Sequence, residues 1–330
     1  MIFIGKAPYR ISLLGGGSDL DWFVNKNEYG LALGYSLNMY SYSVINLLPS
    51  KSKFGTLNYS SREIYKNNDE IVHPLIREAF KLVNLKALVE LSTYGSASGG
   101  QGLGGSSSFL ISLLSALSKV LDFDWDQKNI ANKACEIEID KLFKPIGRQD
   151  QYLSALGGIS CLRFENRGKV INKTISNEKE LMLRGLIKHF YLIPTNTTRK
   201  ADKVLSSIKN DISSVNKLKD IRKIACDFIE SKETRGHVLE TNFHSSVRSS
   251  WEIKRSLSNV MNSELEDQYN FINNLIPNNW IRLLGAGGGG FFLISVKEDF
   301  QNINNILNEN NLQNFKYASL SEKGSECSVY

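Results

Sequence analysis

The chain has 330 residues, 42% of them hydrophobic and 22% charged, with a formal net charge of +6. That length supports a substantial core and sets a prior of two domains, in a composition typical of a soluble globular protein. Its 40 Lys and Arg residues are dispersed and form no basic stripe interleaved with aromatics, so anionic ligands are welcome and nucleic acid is excluded.

Taken in chain order, the first strand-like segment is "YRISLLG" (9–15), followed by a helical pattern over 74–83 and a strand, "ALVELSTY" (87–94). Two helices are predicted over 106–121 and 127–142, then strands at 158–164 and 189–195. Helices follow at 200–209 and 213–230 and around 245–275. Strands at 280–285 and 291–296 and a helix at 299–310 complete the series. Strands and helices mixed throughout predict an α/β or α+β protein. The polar, turn-rich stretch 166–180 is the best domain junction, giving domains at 1–178 and 179–330.

Cys135, Cys161, Cys226 and Cys327 lie far apart with no CxxC, which fits a reducing compartment and excludes a cysteine zinc site of ordinary spacing. The four histidines show no HxxxH or HxH pairing. The N-terminus lacks the apolar core of a signal peptide. The uncharged run 92–118 is half Gly and Ser, and its apolar part is far short of a bilayer span. No membrane association is expected, and the cytoplasm is the expected location.

The stretch "GGQGLGGSSSF" (99–109) leads straight into the apolar helix "FLISLLSALSKVL". Gly100, Gly102 and Gly105 satisfy GxGxxG, with Asp122 and Asp124 about 20 residues on, as a dinucleotide fingerprint requires. The preceding strand ends near Tyr94, too early for the tight corner of that motif, and the acidic residues precede a helix rather than ending a strand. A phosphate cradle fits better. Glycines let backbone amides approach an anion, and a helix starting at Ser106 or Ser107 adds unpaired amides and a positive dipole end. No GKS or GKT follows, so this is not a Walker loop. A serine-capped helix after a plain loop remains the simpler alternative.

On the helix 127–142, Ile130, Ala131, Ala134, Ile137 and Leu142 share one face, and Glu138 sits in the middle of it. A carboxylate among apolar neighbours must be paired or bind a metal. The alternatives are a buried Arg or Lys partner and a Mg²⁺ site of the kind used in phosphoryl transfer. In "GRQDQYLSALGG" (147–158), Asp150 precedes a short helical turn, and an N-cap is the plainest role for it. Asp19 in "GGGSDL" invites the same reading.

Three glycine motifs stand in order: "KAPYRISLLGGGSDL" (6–20), "GGQGLGGSSS" (99–108) and "LLGAGGGGFFLIS" (283–295). Together they resemble the three signature motifs of the GHMP kinase superfamily, over residues from near 5 to near 295. "APYRISLLGGGSDL", "EIE" at 136–138, "GRQDQYLSALGG" and "LLGAGGGGFFL" most resemble the branch that phosphorylates D-glycero-D-manno-heptose 7-phosphate at its anomeric carbon. Fucokinases are next in pattern.

The resemblance implies a two-lobed fold, with an N-terminal mixed α/β lobe, a C-terminal ferredoxin-like lobe and the active site between them. It implies ATP and Mg²⁺, with the phosphates against Gly100, Gly102, Leu103, Gly104, Gly105, Ser106 and Ser107, and with Ser106 and Glu138 on the metal. Asp150 matches the catalytic aspartate, and Arg10 falls where the family carries a basic residue near the reacting oxygens. Asp19, with Gly16, Gly17 and Ser18, matches the sugar-binding motif, and Gly287 and Gly288 belong to the third motif beside the substrate. Two departures stand out. Gly105 replaces the first Ser of GLGSS, which leaves Ser106 and Ser107 both open as the metal serine, and GGG at 15–17 replaces the GEH of galactokinases.

A substrate already carrying a phosphate needs a second cationic pocket. Arg199 and Lys200 follow a strand and open a helix, so they are expected either at that distal phosphate or on a solvated face. The implied partners are a sugar phosphate and ATP, with a homodimer left open. A fucokinase-like action on an unphosphorylated sugar and a non-catalytic sugar-binding regulator are the alternatives.

Overall fold

A computed structural model describes residues 1–96, 101–195, 197, 201–276, 278–296, 300–312 and 315–330. Strand β1 (Ile2–Leu14) alternates buried and half-buried residues at first and is buried on both faces from Ala7 onward. It pairs antiparallel with β2 (Tyr29–Leu47) along almost its full length, with a bulge between Pro8 and Tyr9. β2 forks the sheet. Its first half, Tyr29–Tyr35, takes β6 (Ile159–Glu165), and its second half, Ser41–Leu47, takes β5 (Val89–Gly95).

β3 (Gly55–Asn58) adds parallel to β5, β4 (Arg62–Tyr65) pairs with β3, and β7 (Val170–Lys173) pairs with β6. On the free side of β1 lies β12 (Glu326–Val329), from the far end of the chain. Helices α1 (Asp21–Asn27), α2 (Pro74–Leu82), α3 (Gly105–Val120), α4 (Gln127–Cys135) and α5 (Gln149–Leu156) belong to this lobe. α3 packs on β1 and β2, and α5 packs on β1.

After α6 (Asn177–Ile187), a second sheet is built from β8 (Phe190–Pro194), β9 (Asn278–Leu283), β10 (Phe291–Val296) and β11 (Lys316–Tyr317). Its order, β11-β8-β10-β9, with every neighbouring pair antiparallel, is that of a split βαβ, or ferredoxin-like, sheet. Between β8 and β9 run α7 (Ala201–Asn210), α8 (Ser214–Glu230), α9 (Gly236–Arg255) and α10 (Ser263–Leu275), and α11 (Phe300–Glu309) connects β10 to β11. The fold is the two-lobed α/β arrangement implied by the glycine motifs.

One hydrophobic cluster joins the lobes. Tyr9, Ile11 and Leu13 of β1, with Leu33 and Tyr35 of β2, pack with Phe190, Trp280, Phe291 and Leu293 of the second sheet. Side chains alternate along a strand, so Arg10 and Ser12 point to the opposite face of β1. There they line a cleft of about 190 Å³ between the lobes.

Several elements differ from expectation. β1 begins at Ile2 rather than near residue 9, and the stretch 166–180 holds β7 and the first turn of α6, in which the division drawn at residue 178 falls. The 127–142 helix is regular only to Cys135 and then widens into a π-helical turn, Glu136–Lys141. The segment around 245–275 is two helices, α9 and α10, with Asn259 left-handed at φ 61 between them.

Candidate active site

Backbone geometry first fixes the glycine loop. Arg10 donates its backbone N–H to the Leu103 carbonyl at 3.1 Å, tying the loop to β1. Gly102 has φ +76, and a Cβ there would lie 2.7 Å from the Leu284 carbonyl oxygen. Only glycine therefore lets the phosphate-loop candidate touch the third glycine motif. α3 opens at Gly105 without a side-chain cap, and its first intrahelical bond runs from Ser108 N–H to the Gly104 carbonyl at 2.9 Å. The simple serine cap is thus not what is present. Gly105, Ser106 and Ser107 line the cleft, on a turn whose first amides have no partner within the helix.

The serine hydroxyls reach Glu138 instead. Ser106 Oγ donates to Glu138 Oε1 at 2.8 Å, and Ser107 Oγ donates to Oε2 at 2.7 Å. Gln151 Nε2 adds a third bond to Oε2 at 2.7 Å. The fourth partner is Lys144, whose ammonium lies 2.9 Å from Glu138 Oε1 and 2.8 Å from Ser106 Oγ. Glu138 is fully buried, so these four contacts supply the compensation its charge requires. The basic partner contemplated from the sequence exists, and its ammonium sits between the two oxygens that the resemblance assigns to a metal.

Asp150 lies inside the first turn of α5 and is not its cap. Arg10 Nε and Nη2 donate to its two carboxylate oxygens, both at 2.6 Å, while Arg10 Nη1 donates to the Gly102 carbonyl at 2.6 Å. This two-pronged pair fixes the carboxylate plane and ties it to the glycine loop. Asp19 is buried and accepts from Gly17 N–H at 3.0 Å, Gln149 N–H at 3.2 Å and Gln149 Nε2 at 3.1 Å. Gly147 is its floor, since a Cβ there would lie 1.9 Å from Asp19 Oδ2. Burial, and then the charge of Asp150, push the Asp19 carboxyl up to about 6.

The run Arg148–Gln151 organises the site through four side chains with four targets. Arg148 grips both carboxylate oxygens of Asp21 at 3.0 Å, Gln149 holds Asp19, Asp150 meets Arg10, and Gln151 reaches Glu138.

Residues 71–158 match the family described as the GHMP kinases N terminal domain. The matched segment marks a GHMP kinase N-terminal domain within this chain. The chain is a phosphotransferase with an alcohol group as acceptor, and ATP is the phosphoryl donor of GHMP kinases. It is 26% identical to the D-glycero-alpha-D-manno-heptose 7-phosphate kinase of Campylobacter jejuni subsp. jejuni serotype O:2, over 95% of this chain and 96% of that protein. It is 27% identical to the L-fucokinase/L-fucose-1-P guanylyltransferase of Bacteroides fragilis, over 75% of this chain but only 27% of that longer protein. Its fold matches the crystal structure of a D-glycero-D-manno-heptose 1-phosphate kinase from Bacteroides thetaiotaomicron, with a TM-score of 0.74, 20% identity and 99% of each chain covered.

Arg10, Gly16, Gly17, Asp19, Gly102, Gly104, Gly105, Ser106, Ser107, Glu138, Asp150 and Gly287 all line the cleft. Three expected residues are placed differently. Leu103 turns its side chain into the core shared by the lobes. Ser18 is buried, its hydroxyl donating to the carbonyls of Gly15 and Leu31, so it braces the first motif rather than facing the cleft. Gly288 donates its N–H to the Val260 carbonyl at 2.9 Å and stands behind Gly287. Gly100 and Arg199, with Lys200, lie outside the described residues.

The cleft also holds residues the motifs did not single out. Ser12 is buried, and its hydroxyl has no hydrogen-bond partner among the described residues. Lys144 leaves no sequence signal beyond lying near Glu138. Lys254 had one, since Phe243, Val247, Trp251 and Lys254 follow helical spacing on α9 and all are buried. The helical reasoning that isolates Glu138 would have isolated Lys254 too.

Proposed function

We propose that this chain is a GHMP kinase that transfers the γ-phosphoryl group of ATP to the anomeric hydroxyl of D-glycero-D-manno-heptose 7-phosphate, giving the 1,7-bisphosphate. The observation that carries this reading is the convergence of Ser106, Glu138 and Asp150, distant in sequence, on one cleft lined by both lobes. The near full-length likeness to a heptose 7-phosphate kinase supports that acceptor.

The glycine loop and the α3 N-terminus would receive the phosphates. Asp150 would take the proton of the anomeric hydroxyl, while Arg10 fixes Asp150 and faces the charge that spreads during a loose phosphoryl transfer. Asp19 would hold acceptor hydroxyls, with the Ser12 hydroxyl and Gln149 Oε1, a buried oxygen without a partner among the described residues, as further hydrogen-bonding groups. Asp19 and Ser12 suit a polyhydroxylated acceptor.

The donor set fits Mg²⁺. Ser106 and Glu138 supply hard oxygens, and Mg²⁺ in such sites takes one or two protein ligands. The Lys144 ammonium already occupies the place between those oxygens. Ser106 is exposed and Ser107 buried, which favours Ser106 as the metal serine. Bound there, Mg²⁺ would neutralise phosphate charge.

An ADP-release assay over phosphorylated and free sugars, with mass detection of the product, tests the proposal. The expected result is strongest turnover with the heptose 7-phosphate and a product heavier by one phosphoryl group. Equal or greater activity on fucose would favour a fucokinase-like enzyme, and no sugar-dependent ADP release would contradict the proposal.

A further inference from the structure

Of the three cationic side chains lining the described cleft, two are already paired with carboxylates: Arg10 with Asp150 and Lys144 with Glu138. Lys254, in the last turn of α9, is different. It is buried, and its ammonium donates to the neutral Gly285 carbonyl at 2.6 Å. An ammonium has three donors, and a single carbonyl leaves two without an anionic acceptor among the described residues. Gly285 belongs to the third glycine motif, and a Cβ on it would lie 2.6 Å from the Gly102 Cα. Lys254 is therefore held beside the junction of the two glycine motifs, where the C-terminal lobe meets the phosphate loop.

We propose that Lys254 is the C-terminal lobe's catalytic cation, binding the γ-phosphoryl oxygens of ATP as that group passes to the acceptor. This rests on the kinase reading above, but not on which sugar is used. The Pγ bond to the bridging oxygen of ATP breaks with its electron pair leaving on ADP. The new bond forms to the acceptor oxygen, whose proton goes to Asp150, and Lys254 keeps its protons throughout. Burial, with the nearby Arg282 and Arg10 charges, pulls the Lys254 ammonium down to about 7, against the opposing effect of Asp19 and Asp150. An incoming γ-phosphate is the anion that would restore its charge. The bond of Lys254 to one neutral carbonyl braces the third glycine motif but does not offset the burial of a full charge.

The test compares ATP with ADP, in the presence of Mg²⁺, by titration calorimetry on wild type, Lys254→Met and Lys254→Arg. A γ-phosphoryl contact predicts that Lys254→Met binds ATP at least tenfold more weakly and ADP within about twofold of wild type. Lys254→Arg should recover most of the ATP affinity. Wild-type ATP affinity should fall as pH rises above 7, and the Arg variant should lose that fall because its guanidinium stays protonated. Unchanged ATP binding in the folded Met variant, or equal losses for ATP and ADP, would overturn the proposal. Wild type binding neither nucleotide would overturn the kinase reading along with it.

Discussion

Asp19 shows how the site stores instability in a single residue. Its folded-state pKa, about 6, lies above the ordinary 3.8. Between those values the folded chain holds more protons than the unfolded chain, so stability contributed by Asp19 is present below about pH 4 and is lost as pH rises through 6. Asp19→Asn should therefore gain on wild type between pH 4 and pH 8, by on the order of 2–3 kcal/mol, in urea unfolding. A difference that stays flat with pH would contradict this account of Asp19. Glu138 and Lys144 make a complementary case. Lys144→Met leaves a fully buried carboxylate without its cation and should cost about 3 kcal/mol, with Glu138→Gln in the same chain restoring most of the loss. An additive loss in the double variant would show that the pair is not coupled. Glu138 was legible as a carboxylate on an apolar face, whereas Lys144 was not, because its place depends on how the chain turns after the helix.

That turn belongs to the element scale. A regular helix over 127–142 would keep the 3.6-residue period, but the chain widens at Glu136–Lys141, and Lys144 N–H closes back on the Glu138 carbonyl at 3.0 Å. Wide turns of this kind recur at functional sites and leave no mark in apolar periodicity. β2 escaped notice for a related reason. Its residues Gly30–Leu37 are buried on both faces, so the alternation that marks a strand is missing where the lobes meet. α3, β8 and β10, by contrast, were legible within a residue or two, because their apolar runs are bounded by glycine or polar turns. The glycine loop carries its own prediction. Gly102→Ala forces an L side chain into φ +76 and against the Leu284 carbonyl, so ATP affinity should drop at least tenfold in calorimetry. Near-normal ATP binding would separate the junction of the two glycine motifs from nucleotide recognition.

At the scale of the molecule, the lobes share a core instead of merely touching. Tyr9 and Ile11 pack with Trp280 and Phe291 across the two sheets, and Arg282 of β9 donates to the Leu13 carbonyl of β1. β12 then returns the C-terminal segment to the edge of β1. Scanning calorimetry should therefore show one cooperative transition, and two resolved transitions would mean that the lobes unfold independently. Such a frame suits a site whose parts come from β1, α3, α5, α9 and the third glycine motif, because phosphoryl transfer depends on holding donor, acceptor and charge in register. The most direct test of the central claim is a single-turnover measurement with labelled ATP and the heptose 7-phosphate, comparing wild type with Asp150→Asn. The account predicts that the variant folds, binds ATP within about threefold of wild type, and transfers the phosphoryl group about 10²–10⁴-fold more slowly. Transfer at close to the wild-type rate would contradict it.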